Sequence, residues 1–463
     1  MESKIYACGL IVLLLSIGLT SVALAQTSWW RTYGGSEHDN GSSVSQTTDG
    51  GYIIAGTTYS FGAGTPDFGS LYLVKTDSSG DTLWTRTYGG PAPDYAASVQ
   101  QTADSGYIIA GITESYGAGY WDVYLVKTNA AGDVLWIKTC GGSADDAGNS
   151  VRQTADGGYI VAGWTYSFGP GTPTSGNFYL IKTNAQGDTL WTRTYGGTNH
   201  DGASCVQQAA DGGYLLAGST WSFGADSGDA YLVRTDAHGD TLWTRRFGGV
   251  QYDGVTSVQA TDDGGCIVAG HTCSFGVGTP DNDNVYLVRT DSAGDTLWTK
   301  VYGGPDFDAA YEAWKTADGG YAVVGPTGSY GAGDVDVYLV KTNGAGDTLW
   351  TRTYGGANGD WGFSLQQAND GGYVITGSTS SFGAGNEDVY LIKTDAEGNL
   401  GIVDEKPASP VPSHGLAASV VRNLPLGAKA FDAMGRRVLD AKPGIYFLRT
   451  PTDVAPRKVL LVE

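Results

Sequence analysis

The sequence is poor in basic residues, methionine, histidine and cysteine, with 27 Lys and Arg against 48 Asp and Glu, two Met, five His and five Cys in 463 residues. A net charge of −21 repels phosphate backbones and anionic headgroups, which argues against nucleic-acid and membrane-surface binding. Cations, including calcium, remain compatible. The five histidines, His38, His200, His238, His271 and His414, share no spacing, and no CxxC or His/Cys cluster occurs. Neither a zinc site nor a histidine-based triad is therefore indicated. After the N-terminus no segment approaches the ~20 consecutive apolar residues of a membrane span, so no transmembrane helix is expected. Helical periodicity is missing throughout, and Gly-rich stretches such as Ser60-Phe61-Gly62-Ala63-Gly64 open no helix that could cradle a phosphate.

The one long apolar run, Cys8 to Leu19, follows Lys4 and ends in the small-residue pattern Ala23-Leu24-Ala25. Residues 1–25 read as a secretory signal peptide cleaved after Ala25. Gln26 stands where a lipoprotein would need cysteine. Export permits disulfides among Cys140, Cys205, Cys266 and Cys273, but Cys266 and Cys273 fall on one extended segment, too far apart to bridge. Cys140 and Cys266 stand where other repeats carry Tyr, so buried cysteines acting as small apolar residues are expected.

Glycine, at 72 residues, recurs at fixed places. A Gly-Gly pair begins at Gly34, Gly89, Gly141, Gly196, Gly248, Gly303 and Gly355, with spacings alternating between 55 and 52. Fixed periods of this size mark repeat architectures. The three-residue difference sits in one place, at Gly64 to Gly69 in the first unit, and marks a surface loop. Each unit divides into four strand-like pieces, which in unit one are Ser42–Thr48, Tyr52–Tyr59, Leu71–Thr76 and Thr82–Tyr88, separated by Asp/Gly turns. The second is apolar without alternation, as in a strand buried on both faces.

Unit seven lacks its fourth strand after Leu400, while Trp29-Trp30-Arg31-Thr32-Tyr33-Gly34-Gly35 at the other end matches Trp84-Thr85-Arg86-Thr87-Tyr88-Gly89-Gly90 in register. The offset predicts an all-β, seven-bladed propeller of four-stranded antiparallel blades over residues 27–400, closed into a ring by the N-terminal strand. An open solenoid would instead need atypical capping units. Residues 401–412, with Pro407, Pro410 and Pro412, form a linker, and 413–463 a small β segment.

The piece Leu73-Val74-Lys75-Thr76-Asp77-Ser78-Ser79-Gly80-Asp81-Thr82-Leu83-Trp84 resembles the repeat of quinoprotein-type (PQQ-type) propellers. The resemblance implies that Trp29, Trp84, Trp136, Trp191, Trp243, Trp298 and Trp350 dock between neighbouring blades. It does not carry the activity across, because the adjacent cysteines and long unit-specific insertions associated with quinone-dependent enzymes are absent. Lys429 to Val438, Gly444 to Arg449 and Arg457 to Glu463 resemble the C-terminal sorting domain of type IX secretion substrates. That resemblance implies engagement of an outer-membrane secretion machinery, and a secreted or cell-surface location in a diderm bacterium.

Three aspartate series recur. Asp39, Asp94, Asp146, Asp201, Asp253, Asp308 and Asp360, four residues after the second Gly of each pair, are candidates for an acidic ring at one channel mouth that could hold calcium. The alternative is that each fixes its own turn by accepting backbone N–H bonds. Asp49 and its counterparts open Asp-Gly-Gly hairpin turns, and Asp122, Asp229, Asp336 and Asp388, with Asn177 and Asn284, read as turn caps. Unit six breaks the pattern, with Glu312-Ala313-Trp314-Lys315 preceded by Tyr311. Glu312, Trp314 and Lys315 are candidates for a ligand pocket near the channel, although drift in one of seven copies would look the same. Near-uniform units without a catalytic constellation point to a non-catalytic scaffold, free of any cofactor except candidate calcium, that binds an extracellular protein or glycan. The alternative is a propeller enzyme, a quinoprotein-like dehydrogenase or a glycan-active hydrolase or lyase, with its site in unit six.

Overall fold

The computed structural model describes residues 28–64, 67–224, 227–278 and 282–401, together with five short strands between 420 and 461. The expected signal peptide and residues 402–412 of the expected linker lie outside the described residues. The chain divides into two compact units near residue 403.

The first unit is a seven-bladed propeller, each blade a four-stranded antiparallel sheet. Blade one runs Asp39–Gln46, Tyr52–Thr58, Ser70–Thr76 and Thr82–Tyr88 from channel to rim. Every residue of its second and third strands is buried, whereas its fourth is largely exposed. The hydrophobic clusters lie between blades. Ile53, Leu71 and Leu73 of blade one, for example, pack against Val99, Tyr107, Ile109 and Val126 of blade two. Blade seven contributes three strands, and Trp29–Tyr33 pairs antiparallel with Asp388–Lys393 as its fourth, from Trp29 opposite Lys393 to Tyr33 opposite Val389. The last sheet is thus completed by the first strand.

The inner strand begins three residues earlier than the sequence pattern suggests, at Asp39 rather than Ser42, and shifts register between Gly41 and Ser43. An extra residue in one strand of an antiparallel pair is a β-bulge, and it disguises the alternation that a strand normally shows. The glycine facing the bulge is required by close approach, since a Cβ on Gly56 would lie 1.8 Å from the Asn40 carbonyl oxygen.

The repeated tryptophans dock between blades. Trp84 of blade one meets Tyr107 of blade two edge-on, with centroids 5.9 Å apart, and lies against the Gly132 turn. Trp29, Trp136, Trp191, Trp298 and Trp350 repeat the arrangement. Trp243 instead packs on the cluster that includes Cys266, the residue that replaces Tyr in blade five. Close by, the hydroxyls of Tyr33, Tyr88, Tyr195, Tyr302 and Tyr354 donate to the carbonyl of the next blade's turn glycine at 2.5–2.7 Å. Cys140, Cys205 and Cys266 form no disulfide, and the Cys273 thiol donates to Asp283.

The second unit is a five-stranded sheet in the order Val420–Val421, Arg457–Leu461, Gly444–Arg449, Lys429–Phe431, Arg437–Val438. The first pair is parallel and the remainder antiparallel. Among the described residues no helix is long and apolar enough to cross a membrane.

Candidate functional site

Asp39, Asp94, Asp146, Asp201, Asp253 and Asp360 each open an inner strand, Asp308 forms an isolated bridge to Thr327 ahead of the shorter inner strand of blade six, and all seven are at most 1 % exposed. The Asp94 carboxylate accepts the Gly90 N–H at 2.8 Å, the Ser115 hydroxyl at 2.7 Å and the Thr113 hydroxyl. Asp308 does the same with Gly304, Ser329 and Thr327, and Asp360 with Gly356, Ser381 and Thr379. None of the seven lines the channel cavity. Among the described residues no group of three or more His, Cys, Asp or Glu converges as a metal site would. The geometry is that of the turn former: the series does not present an open acidic ring.

The other two series also serve the frame. Asp156 accepts the Gly158 N–H and the Thr154 hydroxyl and pairs at 2.8 Å with Lys182, whose side chain is buried. Partial burial opposes ionisation, yet the Lys182 ammonium and these donors hold the carboxyl at about 2. A Lys or Arg buried on the third strand meets this turn Asp in every blade. Asp122 caps the Ala118 and Gly119 N–H groups at 2.8 Å.

The inner strands surround a cavity of about 720 Å3. Its wall carries a series of hydrogen bonds between neighbouring blades, invisible in any single repeat. Ser43 accepts from the Val99 N–H of blade two, Ser98 from Val151, Ser150 from Val206, Ser257 from Ala313, and Ser364 from Val44 at 3.1–3.3 Å. Cys205 stands in this place in blade four, and Glu312 in blade six, where it accepts the Leu365 N–H at 2.7 Å. Glu312 is therefore a member of the serine series that has become a carboxylate.

Trp314 also lines the cavity, as do Tyr311, Phe363 of blade seven packed edge-on to Tyr311 at 5.4 Å, and Arg152 contributed by blade three. Lys315 does not join them: its ammonium pairs with Asp262 of blade five, at a position where most blades use Gln to bind a neighbouring turn. Sequence reading missed Arg152 and Phe363, which occupy in blades three and seven the positions that Trp314 and Tyr311 occupy in blade six. Burial raises the Glu312 carboxyl above its usual range, opposed by the Leu365 N–H, the Arg152 guanidinium and the Ser364 hydroxyl. Burial likewise pushes the Cys205 thiol up to about 12.

A raised carboxyl contributes stability below its unfolded value, near 4.3, that is lost as pH rises through the folded value. Glu312→Gln keeps the acceptor for Leu365 and removes the charge. We expect the variant to melt above the parent at pH 7 and the gap to shrink toward pH 4, as thermal melts across that range would measure. A gap independent of pH would contradict the buried-carboxylate assignment.

No family model matches the chain. Among curated proteins, the regulatory protein FlaEY of Caulobacter vibrioides is 27% identical over 263 residues, covering 51% of this chain. The match spans 27% of that relative's length. Among solved structures, the Neurospora crassa Pan2 WD40 domain is similar at 10% identity, covering 80% of this chain and 96% of that one with a TM-score of 0.46. The quinohemoprotein alcohol dehydrogenase ADHIIG of Pseudomonas putida HK5, also 10% identical, covers 84% and 79% at 0.44.

Proposed function

We propose that this chain is a non-catalytic binding scaffold, secreted or held at the outer cell surface, that presents its loop-bearing face to an extracellular protein or glycan. The carrying observation is the contrast between frame and face. Turn aspartates, buried cations and docking tryptophans repeat in nearly every blade. The side chains around the channel mouth on the loop face differ from blade to blade, as specific recognition requires. That face also carries a rim of partly exposed rings, Phe61, Tyr116, Phe168, Phe223, Phe275 and Tyr330, each 39–45 % exposed. Residues 413–463 would act as the sorting segment, and the description of the Caulobacter relative as a regulatory protein accords with a role exerted by binding.

A second reading is favoured by one observation: Glu312, Tyr311, Trp314 and Arg152 converge on a single cavity, and a carboxyl raised by burial suits proton transfer. Glycan and peptide arrays probed with the full chain distinguish the two. The scaffold reading expects saturable binding that persists in Glu312→Gln, with no product formed. Release of reducing ends that Glu312→Gln abolishes would establish the enzyme instead. Deletion of residues 401–463 should abolish surface delivery, and unchanged delivery would remove the sorting role.

A further inference from the structure

Eight aromatic rings form an unbroken arc on the loop face, spanning blades two to five. Tyr120 stacks beside Trp121 at 5.9 Å between centroids, Trp121 meets Trp164 at 6.2 Å, Trp164 meets Tyr166 at 5.4 Å and Tyr166 meets His200 at 5.7 Å. The arc continues through Trp221 at 5.3 Å, Tyr252 at 5.3 Å and His271 at 5.2 Å. Tyr120 is 66 % exposed and the other seven are half-buried.

The fold does not demand these rings. In blades six and seven the places of Tyr166 and Trp221 are taken by Gly328 and Ser380, those of Trp164 and His271 by Pro326 and Ser378, and that of His200 in blade seven by Gly359. Backbone has been cleared for them as well. A Cβ on Gly176 would lie 2.8 Å from the His200 ring, and one on Gly228 would lie 2.8 Å from Trp221. Polar tips are interleaved with the ring faces: Trp121 Nε1 donates to Glu114 at 2.5 Å, Tyr166 Oη and His200 Nδ1 are 3.1 Å apart, and Tyr252 Oη and Ser219 Oγ are 3.4 Å apart.

We infer that this arc is a binding track for an uncharged polysaccharide, an assignment that rests on the scaffold reading and names its ligand class. Flat rings spaced along a curved track, each with a hydrogen-bonding edge, match a chain of sugar rings that offers apolar C–H faces and hydroxyl rims. Charge selects among candidates. The acidic surface repels uronate and sulfate polymers. Most carboxylates beside the arc are already engaged, Glu114 by Trp121, Asp283 by Cys273, and Asp201 and Asp253 by their turns, which leaves Asp145 near Tyr120 as a single site for a cationic peptide. Burial lowers the proton affinity of both His200 and His271, which keeps the rings neutral.

The test is affinity electrophoresis of the full chain in gels containing soluble β-glucan, xylan or α-glucan, with polygalacturonate as the anionic control and labelled oligolysine as the cationic one. The expected result is retardation by a neutral polymer, weakened at least about tenfold by Trp121→Ala or Trp221→Ala and unchanged by Trp361→Ala across the mouth. Trp121→Phe, which keeps a ring, should retain most of the binding and guards against misfolding of the alanine variants. Equal binding by all variants would overturn the arc while leaving the scaffold. Retardation by oligolysine alone, or array binding to peptides with none to glycans, would overturn the ligand class. No ligand on either array would remove the scaffold reading itself.

Discussion

A chain lacking residues 26–33 should fail to give a soluble, cooperatively melting monomer, although it loses none of the six blades that are continuous in sequence. The truncated blade seven would expose the edge of Asp388–Lys393, whose residues are all buried. Five register pairs would go. So would the Trp29 contact with Tyr52 and the Tyr33 hydroxyl bond to Gly80, which among the described residues are the interactions of these kinds that join blades seven and one. Trp30, packed on Phe382 and Tyr390, would leave a further cavity. An unpaired apolar edge is a template for aggregation. A permuted chain in which residue 28 follows residue 400, with the strand in the place it has in other blades, should melt like the parent. Circular dichroism and size-exclusion chromatography on both chains decide the matter. A truncated chain as stable as the parent would mean that the ring does not depend on this closure.

The second large effect is expected from Asp94→Ala. One fully buried carboxylate accepts the Gly90 N–H and two hydroxyls, and its loss removes three bonds at once and leaves the buried Thr113 hydroxyl without this acceptor. Hydrogen bonds to a buried charge contribute about 1.5–3 kcal/mol each, and an orphaned partner adds its own desolvation cost. We expect a loss of at least ~3 kcal/mol by chemical denaturation. Asp77→Ala, in an exposed turn where the carboxylate accepts the Ser79 and Asp81 N–H groups, should cost about 1 kcal/mol. Equal losses at the two sites would show that burial does not amplify the first. The contrast also separates two aspartates that look alike in sequence: both stand near Gly, yet Asp94 begins a strand inside the protein and Asp77 sits in an exposed turn.

What the sequence determined by itself was the architecture. Blade number, strand count per blade and closure by Trp29–Tyr33 follow from a period, a set of Asp/Gly turns and one misplaced copy of a strand, all of which are local patterns. The Asp-Gly-Gly turns were likewise legible, because turn chemistry acts within four residues. Tertiary structure alone decided the rest. The bulge at Gly41 and Ser43 hid the true start of the inner strand and with it the burial of Asp39. The serine series, with Glu312 as its substituted member, joins residues about 50 positions apart, and at Val44 and Ser364 it joins residues 320 apart. His200 and His271 have no spacing that links them, yet both belong to one aromatic arc. Such groupings depend on which side chains face each other across adjacent blades, a relation between distant residues that periodicity along one chain does not encode.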